Sequence, residues 1–387
     1  MKEPVAAPRA APGFAFELLA TDGQARRGRL FTGHGTVETP AFMPVGTRAT
    51  VRTLGAEDLE ELGVEMALAN TYHLYLRPGV EPIAAAGGLH RFMACRCALL
   101  TDSGGFQVMS LADLSRVSDE GVTFQSHIDG SRHQFTPELA TAVQAELGAD
   151  VILCLDECLP AGAGRAALAN AVRRTQAWAA RCVGVHGTRF ATYDYPQVLF
   201  GIVQGGIDTE LRRASAAGLL ELDFPGYAVG GLAVGEPKPA MRQVLEQMDE
   251  VLPRDRPRYL MGVGYPEDLV AAVERGMDLF DCVLPTRNAR NGMAFTHRGR
   301  IAIRNAMHAA DPAPLDPDCG CRVCRRYSRA YVRHLHLAGE ILGLRLVTYH
   351  NLYTYLGLLR EMRAAIESGG FAAWAERFRA ESRGTAV

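Results

Sequence analysis

Three aspartates stand where short apolar runs end. Asp102 follows Ala98–Thr101 in the segment TDSGGFQ, Asp156 follows Val151–Leu155, and Asp281 lies within Leu279–Leu284. Two carboxylates facing one centre suit displacement at a sugar anomeric carbon, one as nucleophile and the other handling the leaving-group proton. A third, with the Gln204 amide and the N–H groups of Gly230-Gly231, could read the edge of a purine. A carboxylate accepts from ring and exocyclic N–H groups, and the amide can donate to a carbonyl oxygen. Phe106 either stacks on such a ring or packs in the core. Singly, each acid has a plainer reading: Asp102 before Ser-Gly-Gly caps a turn, and Asp156 and Asp281 are ion-pair partners. Convergence on one rim favours chemistry, because carboxylates repel one another and persist together mainly where a substrate or a reaction uses them.

A second constellation is Cys319-Gly-Cys321-Arg-Val-Cys324, with His350 after a further 25 residues. Three thiolates and an imidazole match a tetrahedral structural zinc site with no position left for water. His334 and His336 are alternative fourth ligands. The other six cysteines (95, 97, 154, 158, 182 and 282) are scattered and read mostly as buried thiols. Cys158 and Cys282 stand beside two of the acids.

The acids need a scaffold that brings strand ends together. Eight apolar runs alternate with helical stretches: Ala41–Val45, Met66–Ala69, Ala98–Thr101, Val151–Leu155, Val198–Val203, Tyr227–Val229, Arg258–Met261 and Leu279–Leu284. Helices are predicted over Ala56–Leu62, Pro137–Leu147, Arg165–Cys182, Thr209–Leu220, Pro239–Val251 and Pro266–Arg275. The second carries clear boundaries, with Thr136 as N-cap, Pro137 at the first helical position and Gly148 as the stop. The pattern points to an α/β fold, a (β/α)8 TIM barrel, with active-site residues on the loops after the C-terminal strand ends. A doubly wound sheet would give a similar string. Phe14–Glu38 alternates apolar and polar positions around Asp22-Gly23 and His34-Gly35, as an N-terminal antiparallel β segment does. Residues 1–13 are Pro/Ala-rich and read as disordered. Residues 14–387 form one domain, with a C-terminal zinc-binding subdomain over about 285–351 and C-terminal helices over 352–383.

Composition bounds the rest. The chain has 387 residues, 48% apolar and 22% charged, so it is globular rather than low-complexity. No stretch reaches the roughly 18 uncharged apolar residues of a membrane span, and the first residues lack the apolar core of a signal peptide. A cytoplasmic protein with no membrane partner is expected, its cysteines held as thiols or metal ligands. The net charge of −2 hides an uneven distribution: residues 285–335 carry ten arginines against three aspartates. Such a face suits an anionic partner such as nucleic acid, or is a solvated surface.

Together these segments closely resemble the bacterial tRNA-guanine transglycosylases, also called queuine tRNA-ribosyltransferases. The resemblance runs from about Phe14 to the C-terminus on TDSGGFQ (101–107), SHIDGSRH (126–133), DEC (156–158), GIVQGG (201–206), GYAVGGLAVGE (226–236), YLMGVG (259–264), FDCVLPTRNARNG (280–292), CGCRVC (319–324) and TYHN (348–351). It implies exchange of guanine at the anticodon wobble position of tRNA for 7-aminomethyl-7-deazaguanine, a step of queuosine synthesis. Asp281 is then the nucleophile that holds the tRNA as a covalent ester, and Asp102 is the general acid and base. Asp156, Gln204 and the Gly231 N–H grip the base edge, next to Gly230. Phe106 and Met261 sandwich the ring, and the Leu232 carbonyl, supported by Glu236, accepts from the aminomethyl group. Ser103, Gly104, Gly105 and Phe106 build the base loop. Two segments contact tRNA: Gly262, Val263, Gly264, Tyr265, Pro266, Glu267 and Asp268; then Thr286, Arg287, Asn288, Ala289 and Arg290. Cys319, Cys321, Cys324 and His350 hold one structural Zn2+. Phe92, Tyr327, Tyr331 and His334 match the aromatic cluster of a homodimer interface. Cys158 and Val234 resemble the bacterial pocket for the small precursor base.

Overall fold

The computed structural model describes residues 13–110, 115–188 and 192–383. The disordered segment expected over residues 1–13 lies almost wholly outside the described residues. Three strands come first, β1 (Ala15–Asp22), β2 (Ala25–Thr32) and β3 (Gly35–Thr39), paired antiparallel in that order. Three strands of the main sheet follow: β4 (Ala41–Pro44), β5 (Met66–Ala69) and β6 (Ala98–Thr101). Between and after them lie the short helices α1 (Ala56–Leu62), α2 (Thr71–Leu76), α3 (Val80–Ala85), α4 (Leu89–Met93) and α5 (Gly105–Ser110). An antiparallel insertion, β7 (Ser115–Ser118), β8 (Gly121–Gln125) and β9 (Arg132–Phe135), then forms its own sheet.

The main sheet resumes with β10 (Val151–Leu153), β11 (Val198–Val203), β12 (Tyr227–Val229), β13 (Arg258–Leu260) and β14 (Leu279–Cys282). The intervening helices are α6 (Pro137–Leu147), α7 (Arg165–Thr188), α8 (Thr209–Leu220), α9 (Lys238–Val251) and α10 (Pro266–Val273), with α11 (Leu284–Arg290) after β14. The strands pair in parallel in the order β4-β14-β13-β12-β11-β10-β6-β5. A bridge between Val45 and Leu68, with Gly46 N–H donating to the Leu68 carbonyl at 2.6 Å, joins β4 to β5. Strands thus follow chain order around a ring. A doubly wound sheet would reverse that order at a switch point, so the fold is the barrel.

Alternation with period two explains the layering. Met66, Leu68, Ala98, Leu100, Val151 and Leu153 point into the barrel, together with Ile202, Ala228, Tyr259 and Leu279. Ala67, Ala69, Leu99 and Ile152 point outward to the helices. Leu30 and Val37 of the N-terminal sheet, with Phe14 just before it, join the inner cluster, and Arg26 donates to Asp278 at 3.1 Å just ahead of β14. The N-terminal sheet therefore packs against the barrel at the N-terminal ends of the strands.

The remaining chain forms the hairpin β15 (Met293–Thr296) and β16 (Gly299–Ala302), a 3-10 turn at Ala306–His308, α12 (Arg329–Leu337), α13 (Ile341–Glu367) and α14 (Phe371–Arg383). Helix α13 passes through residue 351 without a break. Differences from the sequence expectations are mostly at ends. Helix α7 continues six residues beyond Cys182, whereas β10 stops at Leu153 as the chain turns out toward Asp156. Among the described residues, no helix is long and apolar enough to cross a membrane.

Candidate active site and metal centre

The C-terminal strand ends bring the predicted polar residues to one rim. Asn70 follows β5, Asp102 follows β6, Asp156 and Gln204 lie beyond β10 and β11, and Gly230-Gly231 follow β12. Met261 and Gly262 follow β13, and Asp281 lies in β14. Each acid is held differently.

Asp102 is 7% exposed. Its Oδ1 accepts from the Thr71 N–H at 2.8 Å, and its Oδ2 accepts from Asn70 Nδ2 and, at 2.8 Å, from Gln107 Nε2. Burial pushes its carboxyl up to about 6, against those hydrogen bonds, with the charge of Asp281 adding to the rise. Asp281 is half-buried, and its Oδ1 accepts from the Tyr259 hydroxyl at 2.6 Å and the Gly262 N–H at 2.8 Å. Burial raises it above the ordinary carboxylate range against these donors. Among the described residues its Oδ2 has no hydrogen-bond partner, which leaves one oxygen for chemistry.

Asp156 is 4% exposed. It accepts from Ser103 Oγ at 3.0 Å and from Gln204 Nε2 at 2.6 Å, and burial pushes it up to about 6 against those bonds. The two glycines after β12 are required by Gln204. A Cβ on Gly230 would stand 2.7 Å from Gln204 Nε2, and Gly231 adopts φ +63°. Ser103 Oγ also accepts from the Gly105 N–H at 3.2 Å, and a Cβ on Gly105 would stand 2.7 Å from the Asp156 carbonyl. Gly104 takes φ +80°. At the start of α5, Phe106 is 52% exposed, while Met261 packs half-buried on the inner core and Leu232 is buried. Glu236 receives the Ala233 N–H at 2.6 Å and the Val234 N–H at 3.0 Å, which fixes the turn after Leu232.

The two predicted nucleic-acid segments flank Asp281. In the first, Val263 and Asp268 are buried, the Gly264 carbonyl accepts from the Tyr355 hydroxyl at 2.6 Å, and Lys238 pairs with Asp268 at 2.9 Å. Tyr265, Pro266 and Glu267 are half-buried, with Tyr265 preceding α10. In the second, Thr286 and Ala289 are buried, Asn288 contacts Met293 Sδ at 3.7 Å, and Arg287 is exposed. Burial, with Arg52 and Arg287 nearby, lowers Arg290. Arg52, Arg287 and Arg290 thus form a basic cluster at α11, the helix that follows the strand of Asp281.

Sequence reasoning misses several residues of the site. Gln107 lies inside the TDSGGFQ motif and Tyr259 inside YLMGVG, so both are visible there without a role. Arg212 gives a subtler signal, a charge on the apolar stripe of α8. It is fully buried and donates to the carbonyls of Gly206 at 2.8 Å, Val203 at 2.9 Å and Gly231 at 3.3 Å. It thereby ties the ends of β11 and β12, and burial lowers it to about 10.

In the segment after the barrel strands, Cys319, Cys321, Cys324 and His350 converge with one ligand atom each, so the cluster could hold a metal ion, consistent with zinc. The three sulfurs stand 3.6, 3.6 and 3.3 Å from His350 Nδ1. A tetrahedral Zn2+ needs an S···N edge of roughly 3.6 Å. His350 Nε2 is 2.7 Å from the Phe295 carbonyl, which orients the ring with Nδ1 toward the sulfurs. Hydrogen bonds from neighbouring thiols hold Cys321 far below the ordinary thiol range. His334 and His336 stand outside the group, which resolves the fourth position. Of the other cysteines, Cys95, Cys154 and Cys182 are buried, and Cys97, Cys158 and Cys282 are half-buried.

Comparison with known proteins agrees with this architecture. The family profile described as Queuine tRNA-ribosyltransferase matches residues 22–384. A Queuine tRNA-ribosyltransferase of Desulforudis audaxviator is 55% identical over 368 residues, covering 95% of this chain and 98% of the relative. Those of Pelotomaculum thermopropionicum and Moorella thermoacetica are 57% and 54% identical over 345 and 360 residues. They cover 89% and 92% of this chain and 92% and 95% of their own. The chain belongs to the queuine tRNA-ribosyltransferase family.

Proposed function

We propose that this glycosyltransferase-type enzyme exchanges guanine at the anticodon wobble position of tRNA for 7-aminomethyl-7-deazaguanine, through a covalent Asp281–ribosyl intermediate. The observation that carries the reading is the division of labour among the three acids. Asp281 has one oxygen anchored by Tyr259 and Gly262 and the other without a protein partner among the described residues, as a nucleophile at an anomeric carbon requires. Asp102, at about 6, can carry a proton to the departing guanine and recover one from the incoming base near neutral pH.

Asp156, Gln204 and the Gly231 N–H then serve the purine edge, and Phe106 and Met261 its two faces. A base flipped out of the anticodon loop enters at the strand ends. Arg287 and Arg290 are suited to the adjoining phosphates. The cysteine cluster acts as a structural zinc site, fixing the chain after β14. Exposed Phe92 and Tyr331, with Tyr327 and Tyr331 stacked at 5.7 Å, support a homodimer surface that includes His334.

The deciding experiment is incorporation of labelled guanine into unmodified tRNA bearing a wobble guanine, chased with 7-aminomethyl-7-deazaguanine or queuine. Incorporation with displacement by the aminomethyl base is expected. Base release without an acceptor would make the enzyme a nucleosidase. Tight tRNA binding without exchange would make it a binding protein.

A further inference from the structure

We propose that Cys95 and Cys97 form a reversible thiol–disulfide pair at the foot of the barrel, closed by low-molecular-weight disulfides. Their Sγ atoms stand 2.9 Å apart across the single residue Arg96. That approach is too close for two metal ligands, since thiolates about 2.3 Å from a tetrahedral ion lie roughly 3.8 Å from each other. The pair is spaced for bonding to itself.

The backbone on either side builds this approach. Ala94 ends α4 in a left-handed conformation at φ +52°, and the Cys95 N–H donates to the His90 carbonyl at 2.9 Å, so the chain doubles back. Beyond Cys97, the Leu99 N–H donates to Asp150 at 2.8 Å. The same carboxylate holds His34 at 2.8 Å and His90 at 3.1 Å. Both cysteines line a pocket of about 220 Å3 whose wall includes His34, Glu60 and Arg96. Cys97 precedes β6 and Asp102 follows it, so the pair and the proposed catalytic acid lie at opposite ends of one strand.

The chemistry assigns an order. The hydrogen bond between the two thiols lowers the Cys95 thiol from its ordinary range, against the upward push of burial. Cys95 is therefore the member of the pair favoured as thiolate. The Cys95 thiolate attacks one sulfur of oxidised glutathione, that S–S bond breaks, and one glutathione thiolate leaves and takes a proton from solvent. Cys97 gives its proton to solvent and attacks the Cys95 sulfur of the mixed disulfide, expelling the second glutathione. Two protein thiols are oxidised to one disulfide, and one glutathione disulfide is reduced to two thiols.

The test uses the full chain, incubated with oxidised glutathione, alkylated and digested with trypsin. Cleavage after Arg96 separates Cys95 from Cys97, so only a disulfide keeps the two peptides together or, if cleavage is blocked, leaves one peptide two hydrogens lighter. We expect that product, reversed by dithiothreitol. Recovery of Cys95 and Cys97 as separately alkylated thiols, or as two separate glutathione adducts, would overturn the proposal. In Cys97→Ser the reaction should stop with glutathione on Cys95. An unmodified Cys95 there would overturn its role as the attacking thiol.

Discussion

Gln204 and Gly231 are matched through the lack of a side chain: a Cβ on Gly231 would lie under 3.0 Å from Gln204 Oε1, at a backbone φ of +63°. Gly231→Ala must both adopt a left-handed conformation, at about 1–2 kcal/mol, and displace the amide. We expect kcat/KM for the base to fall at least about tenfold while tRNA affinity is nearly unchanged. Steady-state exchange kinetics beside a tRNA gel-shift measure both, and equal losses would assign the glycine to the scaffold.

Variants of Asp281 and Tyr259 separate the proposed covalent step from its support. Asp281→Asn should bind tRNA and form no adduct that survives denaturation. Tyr259→Phe removes one hydrogen bond to a carboxylate, typically about 1.5–3 kcal/mol, so adduct formation should slow by roughly tenfold to a hundredfold and still occur. Denaturing gels of enzyme mixed with labelled tRNA read both, and an undiminished adduct from the Asp281→Asn enzyme would exclude the nucleophile assignment.

Asp156 makes a prediction about stability and pH. Its folded carboxyl titrates at about 6, pushed up by burial against bonds from Gln204 and Ser103. An unfolded carboxyl titrates near about 4. Between those values the folded chain keeps a proton that the unfolded chain has released, so this group's contribution to stability falls as pH rises from about 4 to about 6. Asp156→Asn keeps partners for Ser103 and Gln204 and removes that loss. Its stability relative to the parent should grow across this window by up to about 3 kcal/mol, seen in denaturant titrations at about pH 4.5 and about pH 8. A difference independent of pH would sink the argument.

For the cysteine cluster, Cys321→Ser should lose bound zinc and thermal stability together, measured by metal analysis and melting. A stable, metal-replete variant would contradict a structural role.

Much of the barrel is legible in the sequence because its strands are buried on both faces and therefore read as unbroken apolar runs. Met66–Ala69, Ala98–Thr101 and Val198–Val203 begin and end where that pattern does. Helix α6 is equally plain, since the Thr136 hydroxyl accepts from the Leu139 N–H and Gly148 takes the left-handed stop. The short helices α2 to α4 are not, because five or six residues cannot show a 3.6-residue period. The acids can be picked out by position, but not what holds them. Thr71 and Gly262 act through backbone N–H groups of a kind that nearly every residue carries, and Arg212 contradicts the expectation that a helix's buried stripe is apolar.

His350 and Asn351 are consecutive on α13. The first belongs to the metal cluster, and the second donates to the carbonyls of Pro285 at 2.9 Å and Met293 at 3.0 Å while accepting from the Phe295 N–H at 2.9 Å. Pro285 comes only four residues after Asp281. A single peptide unit therefore links the cluster to the splint behind the strand that carries Asp281. A slight roll of α13 about its axis would disturb both together, so the Asp281 carboxylate inherits its steadiness from a cluster that shares no residue with the strand-end rim.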